Sequence, residues 1–220
     1  MYLEKEMKKI QKILRILYKK YPSSKTTLNR MRSNPQAFKI LISCLSSLRA
    51  RDENTKKISK ALFKVAKTPK QIASMPIKKL EKIIYSSGHY KKKARVLKHV
   101  SKEIIKRFKS KVPKTREELL SIKGIGPKTA NIVLAFAFNQ CVIPVDVHVH
   151  VIANRLGWVK TKTAEKTEPK LMEIIPKKYC YDLNSILVQF GKEICVTISP
   201  KCSICPIRHL CPRIGVLRSR

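Results

Sequence analysis

The sequence predicts an all-α protein, and three observations support that prediction. Apolar residues recur at intervals of three and four, the spacing that places side chains on one face of a helix. The 220 residues include only six glycines, and no alternating segment flanked by Asn-Gly or Asp-Gly indicates a β-hairpin. Prolines mark short connections instead, at Pro35, Pro69, Pro76, Pro113, Pro144 and Pro176.

Helices are predicted in order along the chain. The first is amphipathic, with an apolar stripe formed by Leu3, Met7, Ile10, Leu14 and Leu17. The segment from Phe38 to Leu45 is apolar enough for a buried helix, and the segment from Asn131 to Phe138 for a central one. Between them, one further helix face is formed by Val96, Val100, Ile104 and Phe108. The segment from Val145 to Val151 differs, because it alternates apolar and polar residues as a half-buried strand does.

The charge indicates the class of partner. The chain has 49 Lys and Arg against 14 Asp and Glu, a net charge of +35 at pH 7. A solvated, Lys-rich surface accounts for an excess of about ten more easily than for this one. A charge this large favours a polyanion, since each phosphate neutralised releases condensed counterions. An anionic membrane fits less well, because no amphipathic segment with an aromatic apolar face stands out.

The cellular location is predicted from what the sequence lacks. Charges interrupt the first ten residues, so no signal peptide is expected, and no apolar run approaches the eighteen residues that would span a membrane. Seven cysteines, three of them scattered, do not resemble a secreted disulfide framework. We expect a soluble intracellular protein of the cytoplasm, associated with the nucleoid, that functions as a monomer.

Four cysteines near the C-terminus form the first chemical motif. They follow the pattern Cys-x6-Cys-x2-Cys-x5-Cys, with ligands at Cys195, Cys202, Cys205 and Cys211. Four thiolates this close in sequence can hold zinc or an iron–sulfur cluster, and the chemistry alone favours zinc. The cations around them suit a phosphate clamp, although ordinary surface charge explains any single one equally well: Lys192, Lys201, Arg208, His209 and Arg213.

The second motif is a Gly-x-Gly turn followed by a helix start. Gly124 and Gly126 permit a tight turn with exposed backbone N–H groups, and Pro127 is expected in the first helical turn. The free amides of such a helix attract a phosphate oxygen. A common turn or a helix C-cap explains Gly-x-Gly by itself, so the motif depends on the helix start that follows.

Lys128 and Asp146 are the candidate catalytic residues. Lys128 is expected to be partly buried near a helix N-terminus, where positive charge is disfavoured and an amine is a better nucleophile. Most lysines in such a place are phosphate contacts or solvated charges. Asp146 lies eighteen residues later and is the one acid in its stretch. It is either a helix cap or, beside an amine nucleophile, a carboxylate that stabilises a developing sugar cation.

Three blocks together resemble the endonuclease III family of DNA glycosylases: Leu119 to Ala130, Val145 to Trp158, and the four cysteines. The resemblance runs from about Asn34 to Pro212. It implies that residues 145–151 lead from a loop into a helix with Asp146 at or near its N-cap. It also implies that the cysteines hold a [4Fe-4S] cluster and not zinc. The fold it implies is two-lobed and all-α, with a helix-hairpin-helix.

The resemblance also implies an organisation and an activity. A six-helix lobe would span 30–140, and 1–29 with 141–220 would form a second lobe carrying the cluster loop at 195–211. Double-stranded DNA with a damaged base or an abasic site would lie between the lobes, with the damaged nucleotide flipped out. Lys128 would attack the sugar, release an oxidised or ring-saturated pyrimidine and nick the strand on the 3′ side by β-elimination.

Two positions depart from the family pattern. Arg49 aligns with a glutamine that fills the gap left by the flipped base, and His89 aligns with a leucine-like wedge opposite it. Both residues are therefore candidate DNA contacts, with the hairpin amides of Gly124 and Gly126 and the cluster-loop cations Lys201 and Arg208.

Other functions remain open from the sequence. A monofunctional or mismatch glycosylase acting on uracil or thymine opposite guanine is one alternative, although such relatives usually replace the lysine. A non-catalytic DNA-binding or redox-sensing protein on the same fold is the other.

Overall fold

The computed structural model describes residues 2–22, 36–47 and 52–220. Within these ranges the chain forms helices and no β-strand. It divides into two compact units, one made of Met1–Ser33 with Asn139–Arg220 and the other of Asn34–Phe138. Among the described residues, no helix is long and apolar enough to cross a membrane.

The 34–138 unit is a helical bundle around one buried helix. Its helices are α2 (Ala37–Ser47), α3 (Asp52–Val65), α4 (Pro69–Ser74), α5 (Ile77–Ile83), a 3-10 turn (Tyr85–Ser87), α6 (Tyr90–Phe108), α7 (Arg116–Leu120) and α8 (Pro127–Ala137). Thr68 and Thr115 cap α4 and α7 with side-chain hydroxyls, which accept hydrogen bonds from first-turn amides. Every residue of α8 from Thr129 to Phe136 is buried, which confirms the predicted central helix.

The other unit joins the N-terminal helix to the C-terminal third of the chain. Its helices are α1 (Tyr2–Lys20), α9 (Val147–Arg155), α10 (Ala164–Ile174), α11 (Lys177–Cys180) and α12 (Leu183–Glu193), followed by 3-10 turns at Cys202–Ile204 and Arg208–Leu210. Ile10, Leu14 and Leu17 of α1 are buried, as the amphipathic stripe predicts. They pack in one core with residues of α9 and α12.

The segment with strand-like alternation is helical. Residues 147–155 form α9, as the family resemblance implied and as period and propensity alone did not. Val149 and Ile152 are buried while Val147 is 56% exposed, so helical packing has overridden the alternating pattern.

Two of the scattered cysteines are paired. Cys141, in the loop before α9, and Cys180, at the end of α11, form a disulfide whose Cα atoms are 5.4 Å apart. The sequence indicated no such pairing, because the two cysteines are 39 positions apart and no local pattern links them. Cys44 and the four C-terminal cysteines are not disulfide-bonded.

Candidate active site and metal centre

The Gly-x-Gly turn connects α7 to α8 and is held in place by buried apolar side chains. Leu119, Ile122 and Ile125 are buried, and the Ile125 N–H donates to the Ile122 carbonyl at 3.0 Å. Gly124 has φ +104°, and a Cβ there would lie 2.9 Å from Cγ1 of Val96 on α6. Glycine is therefore required at 124 both by the backbone angle and by the close approach to α6.

Lys128 occupies the second position of α8. Gly126 is the N-cap residue and Pro127 the first helical residue, which confirms the prediction that Pro127 lies in the first helical turn. The expected partial burial of Lys128 is wrong, because its side chain is exposed. The buried face of α8 begins one residue later, at Thr129, so Lys128 lies on the solvent side of the first turn.

A buried thiol lies near this lysine. Burial raises the pKa of Cys44, on α2, to about 12, and the positive charge of Lys128 acts in the opposite direction. The amine at the hairpin therefore lies within electrostatic reach of α2, and the thiol beside it stays protonated at neutral pH.

Asp146 is the N-cap residue of α9, as the resemblance implied. Its Oδ1 accepts a hydrogen bond from the Val149 N–H at 3.0 Å, and its side chain is partly exposed. A carboxylate in this position is held by the first-turn amides and by the positive end of the helix. Lys128 belongs to the 34–138 unit, whereas Asp146 and the four cysteines belong to the other.

The backbone before Asp146 is fixed by α12. The Asn184 side-chain amide donates to the Pro144 carbonyl at 2.8 Å, and both residues are buried. On the same helix, a Cβ at Gly191 would lie 2.5 Å from Nδ1 of His148, so α12 approaches α9 closely at that point. Asn184 and Gly191 therefore position the start of α9.

The four C-terminal cysteines line one cavity in the 139–220 part of the chain. Its wall also includes Phe190, Ile194, Ile207 and Arg155. Burial raises the pKa of Cys205 to about 11 and also raises the pKa of Cys195 and Cys211. Because metal ligation requires thiolates, a bound cationic centre would have to offset this cost.

Arg155, the last residue of α9, ties that helix to the cysteine loop. One guanidinium nitrogen, Nη1, lies 3.4 Å from Sγ of Cys195 and 2.8 Å from the Val196 carbonyl, and Nη2 donates to the Thr197 carbonyl at 2.6 Å. Arg155 is 9% exposed. One helix therefore carries the candidate carboxylate at its first turn and the anchor of the cysteine loop at its last.

The donor set suits an iron–sulfur cluster. All four thiols are free, partly buried and face one cavity, and a guanidinium donates to one of the sulfurs, a contact that stabilises a thiolate. In the ranges that the structure describes, no group of three or more His, Cys, Asp or Glu side chains is arranged around a single ion. It is the chemistry of the four sulfur donors that fits the cluster.

The candidate DNA contacts differ in exposure. His89 is exposed and left-handed, with φ +48°, directly before α6. Arg208 is exposed in its 3-10 turn, and Lys201 is half-buried beside Cys202. Arg49 lies outside the described residues.

Several residues that shape the site were not predicted. Asn184, Arg155 and Gly191 position α9, and Lys93 is a buried lysine beside the His89 turn. Only Gly191 left a sequence signal, as an isolated glycine within an apolar helical pattern. The other three act through backbone carbonyls distant in sequence, which no spacing reveals.

Comparison with known proteins identifies the class. Residues 42–177 match the HhH-GPD superfamily of base excision DNA repair proteins. The chain is 40% identical over 202 residues to endonuclease III of Thermotoga maritima, covering 92% of each chain. It is 34% identical over 180 residues to endonuclease III of Bacillus subtilis, covering 81% of each.

Solved structures agree. A non-covalent endonuclease III–DNA complex superposes with a TM-score of 0.83 at 31% identity, covering 94% of this chain and 95% of that one. A trapped endonuclease III–DNA covalent intermediate gives 0.78 at 31% identity, covering 92% and 95%. A thermostable thymine-DNA glycosylase gives 0.84 at 23% identity, covering 94% and 96%, which shows the shared fold alone.

The fold and these matches define a helix-hairpin-helix base excision repair protein. The chain belongs, within that superfamily, to the endonuclease III family of DNA glycosylases. It is accordingly a base excision repair enzyme with DNA N-glycosylase and abasic-site lyase activities.

Proposed function

We propose that this enzyme removes oxidised or ring-saturated pyrimidines from double-stranded DNA and then nicks the strand 3′ to the abasic site, with Lys128 as nucleophile. The observation that carries the proposal is the position of Lys128. It is an exposed amine in the first turn of α8, directly after a Gly-x-Gly turn whose backbone suits a phosphate. The Lys128 amine and the backbone amides that would bind a phosphate are thus at the same end of α8.

The reaction begins with attack by the Lys128 amine on the sugar. The Nζ lone pair forms a bond to the sugar C1′, the glycosidic C1′–N bond breaks, and the base leaves with the bonding pair and gains a proton. The C1′–O4′ bond of the sugar ring then breaks, O4′ takes up a proton, and a protonated Schiff base forms between Nζ and C1′. Loss of a C2′ proton then forms a C2′=C3′ double bond and breaks the C3′–O bond, so that the downstream strand leaves with a 5′ phosphate, and water hydrolyses the Schiff base to free Lys128.

Asp146 supplies the negative charge in this scheme. As C1′ loses the base it acquires cationic character, which a fixed carboxylate stabilises. The hydrogen bond from the Val149 N–H fixes one oxygen of that carboxylate, and Asn184 fixes the backbone two residues before it. The carboxylate is thus held by the fold before substrate arrives, so little reorganisation accompanies the reaction.

The remaining residues bind cofactor and DNA. Cys195, Cys202, Cys205 and Cys211 hold the [4Fe-4S] cluster, whose contribution is to order this loop. The amides at Gly124 and Gly126 bind one stretch of backbone, and Lys201 and Arg208 bind another. His89 and Arg49 fill the gap that the flipped nucleotide leaves in the duplex. The enzyme acts as a monomer.

Borohydride trapping on an abasic duplex tests the Lys128 assignment. Lys128→Gln removes the basic lone pair at nearly constant shape, so covalent trapping and strand nicking should be abolished while DNA binding persists. Lys123→Gln is the matched control, since Lys123 is also exposed in the hairpin and the variant loses the same charge. Trapping by Lys128→Gln at the rate of Lys123→Gln would place the nucleophile elsewhere.

A panel of duplexes, each with one lesion, tests the substrate class. Excision of thymine glycol or dihydrouracil well above excision of uracil or thymine opposite guanine supports the proposal. The reverse preference would identify a mismatch glycosylase on the same fold, the alternative that the sequence left open.

A further inference from the structure

Lys93, on α6, is buried although it carries a charge. Its side chain is only 7% exposed, and its Nζ donates to the Ser46 carbonyl at 3.0 Å and to the Ser87 carbonyl at 2.5 Å. Burial lowers the pKa of this amine. An apolar side chain would fill the same space without that cost, so the ammonium is present for its directional bonds.

Both acceptors are at helix ends. Ser46 lies in the last turn of α2, and Ser87 is the last residue of the 3-10 turn before α6. Carbonyls in such positions lack partners within their own helix and carry partial negative charge. One ammonium with three donors satisfies carbonyls from two segments that are 41 residues apart in sequence. Lys93 therefore fixes the distance between the two segments.

The turn that it holds has a sparsely populated backbone conformation. Gly88 and His89 follow Ser87 with φ of +61° and +48°. The far side of this turn is bonded to the first turn of α6, because the backbone N–H of residue 93 donates to the His89 carbonyl at 3.1 Å. Outside the turn, the rings of Tyr85 and Tyr90 lie 4.8 Å apart and flank it. Conformations of this kind persist only where surrounding contacts enforce them, and they cluster at functional sites.

We propose that Lys93 is a positioning residue for duplex opening, which locks the turn at Ser87–His89 against the end of α2 so that the exposed His89 side chain meets the DNA gap at a fixed place. This inference rests on the gap-filling role proposed for His89. Lys93 does not touch the reacting atoms. Its removal should therefore impair steps that need the complementary strand and spare steps that do not.

Lys98, one turn further along α6, provides a matched control. Its Nζ donates to the carbonyls of Ala73 and Met75, so it too caps a helix end, that of α4, within the same unit. The residue after α4, Met75, has an ordinary φ of −58° and does not belong to the His89 turn. Lys93→Met and Lys98→Met therefore each remove a cation that donates to two carbonyls, buried at Lys93 and partly buried at Lys98, and only the first reaches the turn.

The experiment compares double- and single-stranded substrates. Single-turnover base release from a thymine glycol duplex and borohydride trapping on a single-stranded abasic oligonucleotide are measured for wild type and both variants. Lys93→Met should slow duplex base release by roughly ten- to a hundredfold, with single-strand trapping within about twofold of wild type. When Lys93→Met binds a duplex with 2-aminopurine next to the lesion, the fluorescence of that base should rise less than it does with wild type. Lys98→Met should leave the rates of duplex base release and of single-strand trapping near those of wild type, even if it lowers the free energy of unfolding.

Equal slowing of duplex base release in Lys93→Met and Lys98→Met, or an unchanged rate in Lys93→Met, would overturn the inference. If Lys93→Met does not fold, Gly88→Ala substitutes for it, because no heavy atom lies within 4 Å of that Cβ and only the left-handed backbone is affected. Gly88→Ala must then show the same duplex-specific loss. Trapping of the wild-type protein on the single-stranded oligonucleotide tests the Lys128 proposal separately from the Lys93 proposal. If the wild type is not trapped, the Lys128 chemistry is rejected and the Lys93 contacts are unaffected.

Discussion

The glycine hairpin at 121–128 and the cysteine loop at 195–211 are both short connections, yet they are held by different forces. The hairpin is positioned by buried apolar side chains, Ile122 and Ile125 among them, and by the close contact of Gly124 with Val96. The cysteine loop buries Ile207, but its cysteines are only half-buried and polar anchors from Arg155 hold one end. Packing thus accounts for the first segment, whereas we propose that the second also depends on the bound cluster.

The two regions also differ in chemistry. Each unit presents a candidate catalytic group at a helix N-terminus, Lys128 on α8 and Asp146 on α9. The cysteine loop presents cations and thiols that we assign to docking and to the cluster. Four experiments test this division of roles, from the largest expected effect to the smallest.

Asp146→Asn should have the largest effect, because it removes the carboxylate charge while an amide oxygen still caps α9. Single-turnover base release should fall by about a hundredfold or more, with DNA binding equal or tighter since repulsion of phosphate is relieved. His150→Asn is the matched control. It changes a side chain of the same helix that bonds to Thr167 and Asn154, and it keeps the Asp146 carboxylate. Near-normal base release by Asp146→Asn would reduce Asp146 to a helix cap.

Removal of the metal should destabilise the cysteine loop and leave the helix after the glycine hairpin unchanged. Protein purified without oxygen should contain about four iron and four sulfide per chain and absorb in the visible range. After iron is removed, hydrogen exchange should accelerate in peptides covering 195–211 and stay slow in those covering 129–136, because the helix there is buried by packing. One zinc and a colourless protein would contradict the cofactor assignment and leave the glycosylase intact.

Alanine at the two hairpin glycines should have unequal effects. Gly124→Ala meets both a left-handed φ and the side chain of Val96, so its free energy of unfolding should fall by about 1–3 kcal/mol. Gly126→Ala, at φ −97° with open space around its Cβ, should stay within about 0.5 kcal/mol of wild type. Denaturant unfolding measures both. Equal losses would mean that packing against α6 does not set the hairpin.

The smallest effect is expected from cations of the cysteine loop. A double Lys201→Ala, Arg208→Ala variant should bind DNA with a slope of log affinity against log salt that is shallower by about two units. Undamaged and abasic-analogue duplexes should weaken alike, because phosphate contacts carry little lesion information. Lys166→Ala with Lys170→Ala, exposed on α10, removes the same charge elsewhere and should change the slope less. Equal slopes would assign the effect to global charge.

Sequence spacing predicted the parts of the molecule that depend on local chemistry. Helix periodicity predicted α1, a nearly continuous apolar run predicted α8, and Pro127 was correctly expected in the first turn of α8. The spacing of Lys128, Asp146 and the four cysteines supported the family resemblance that the comparisons confirm. These signals are local because caps, turns and amphipathic stripes involve residues within one or two helical turns.

The sequence by itself determined the fold class, the family and the candidate reacting groups. Only the tertiary structure decided how those groups are held: Lys128 on the solvent side of α8, the loop before Asp146 bonded to Asn184, the cysteine loop bonded to Arg155, and the His89 turn bonded to Lys93. Each bond joins a side chain to a backbone carbonyl, 40 residues away for Asn184, 42 for Arg155 and six for Lys93, which also donates to the Ser46 carbonyl 47 residues away. Every residue carries such a carbonyl, so sequence gives no sign of which one a buried amide, guanidinium or ammonium will meet.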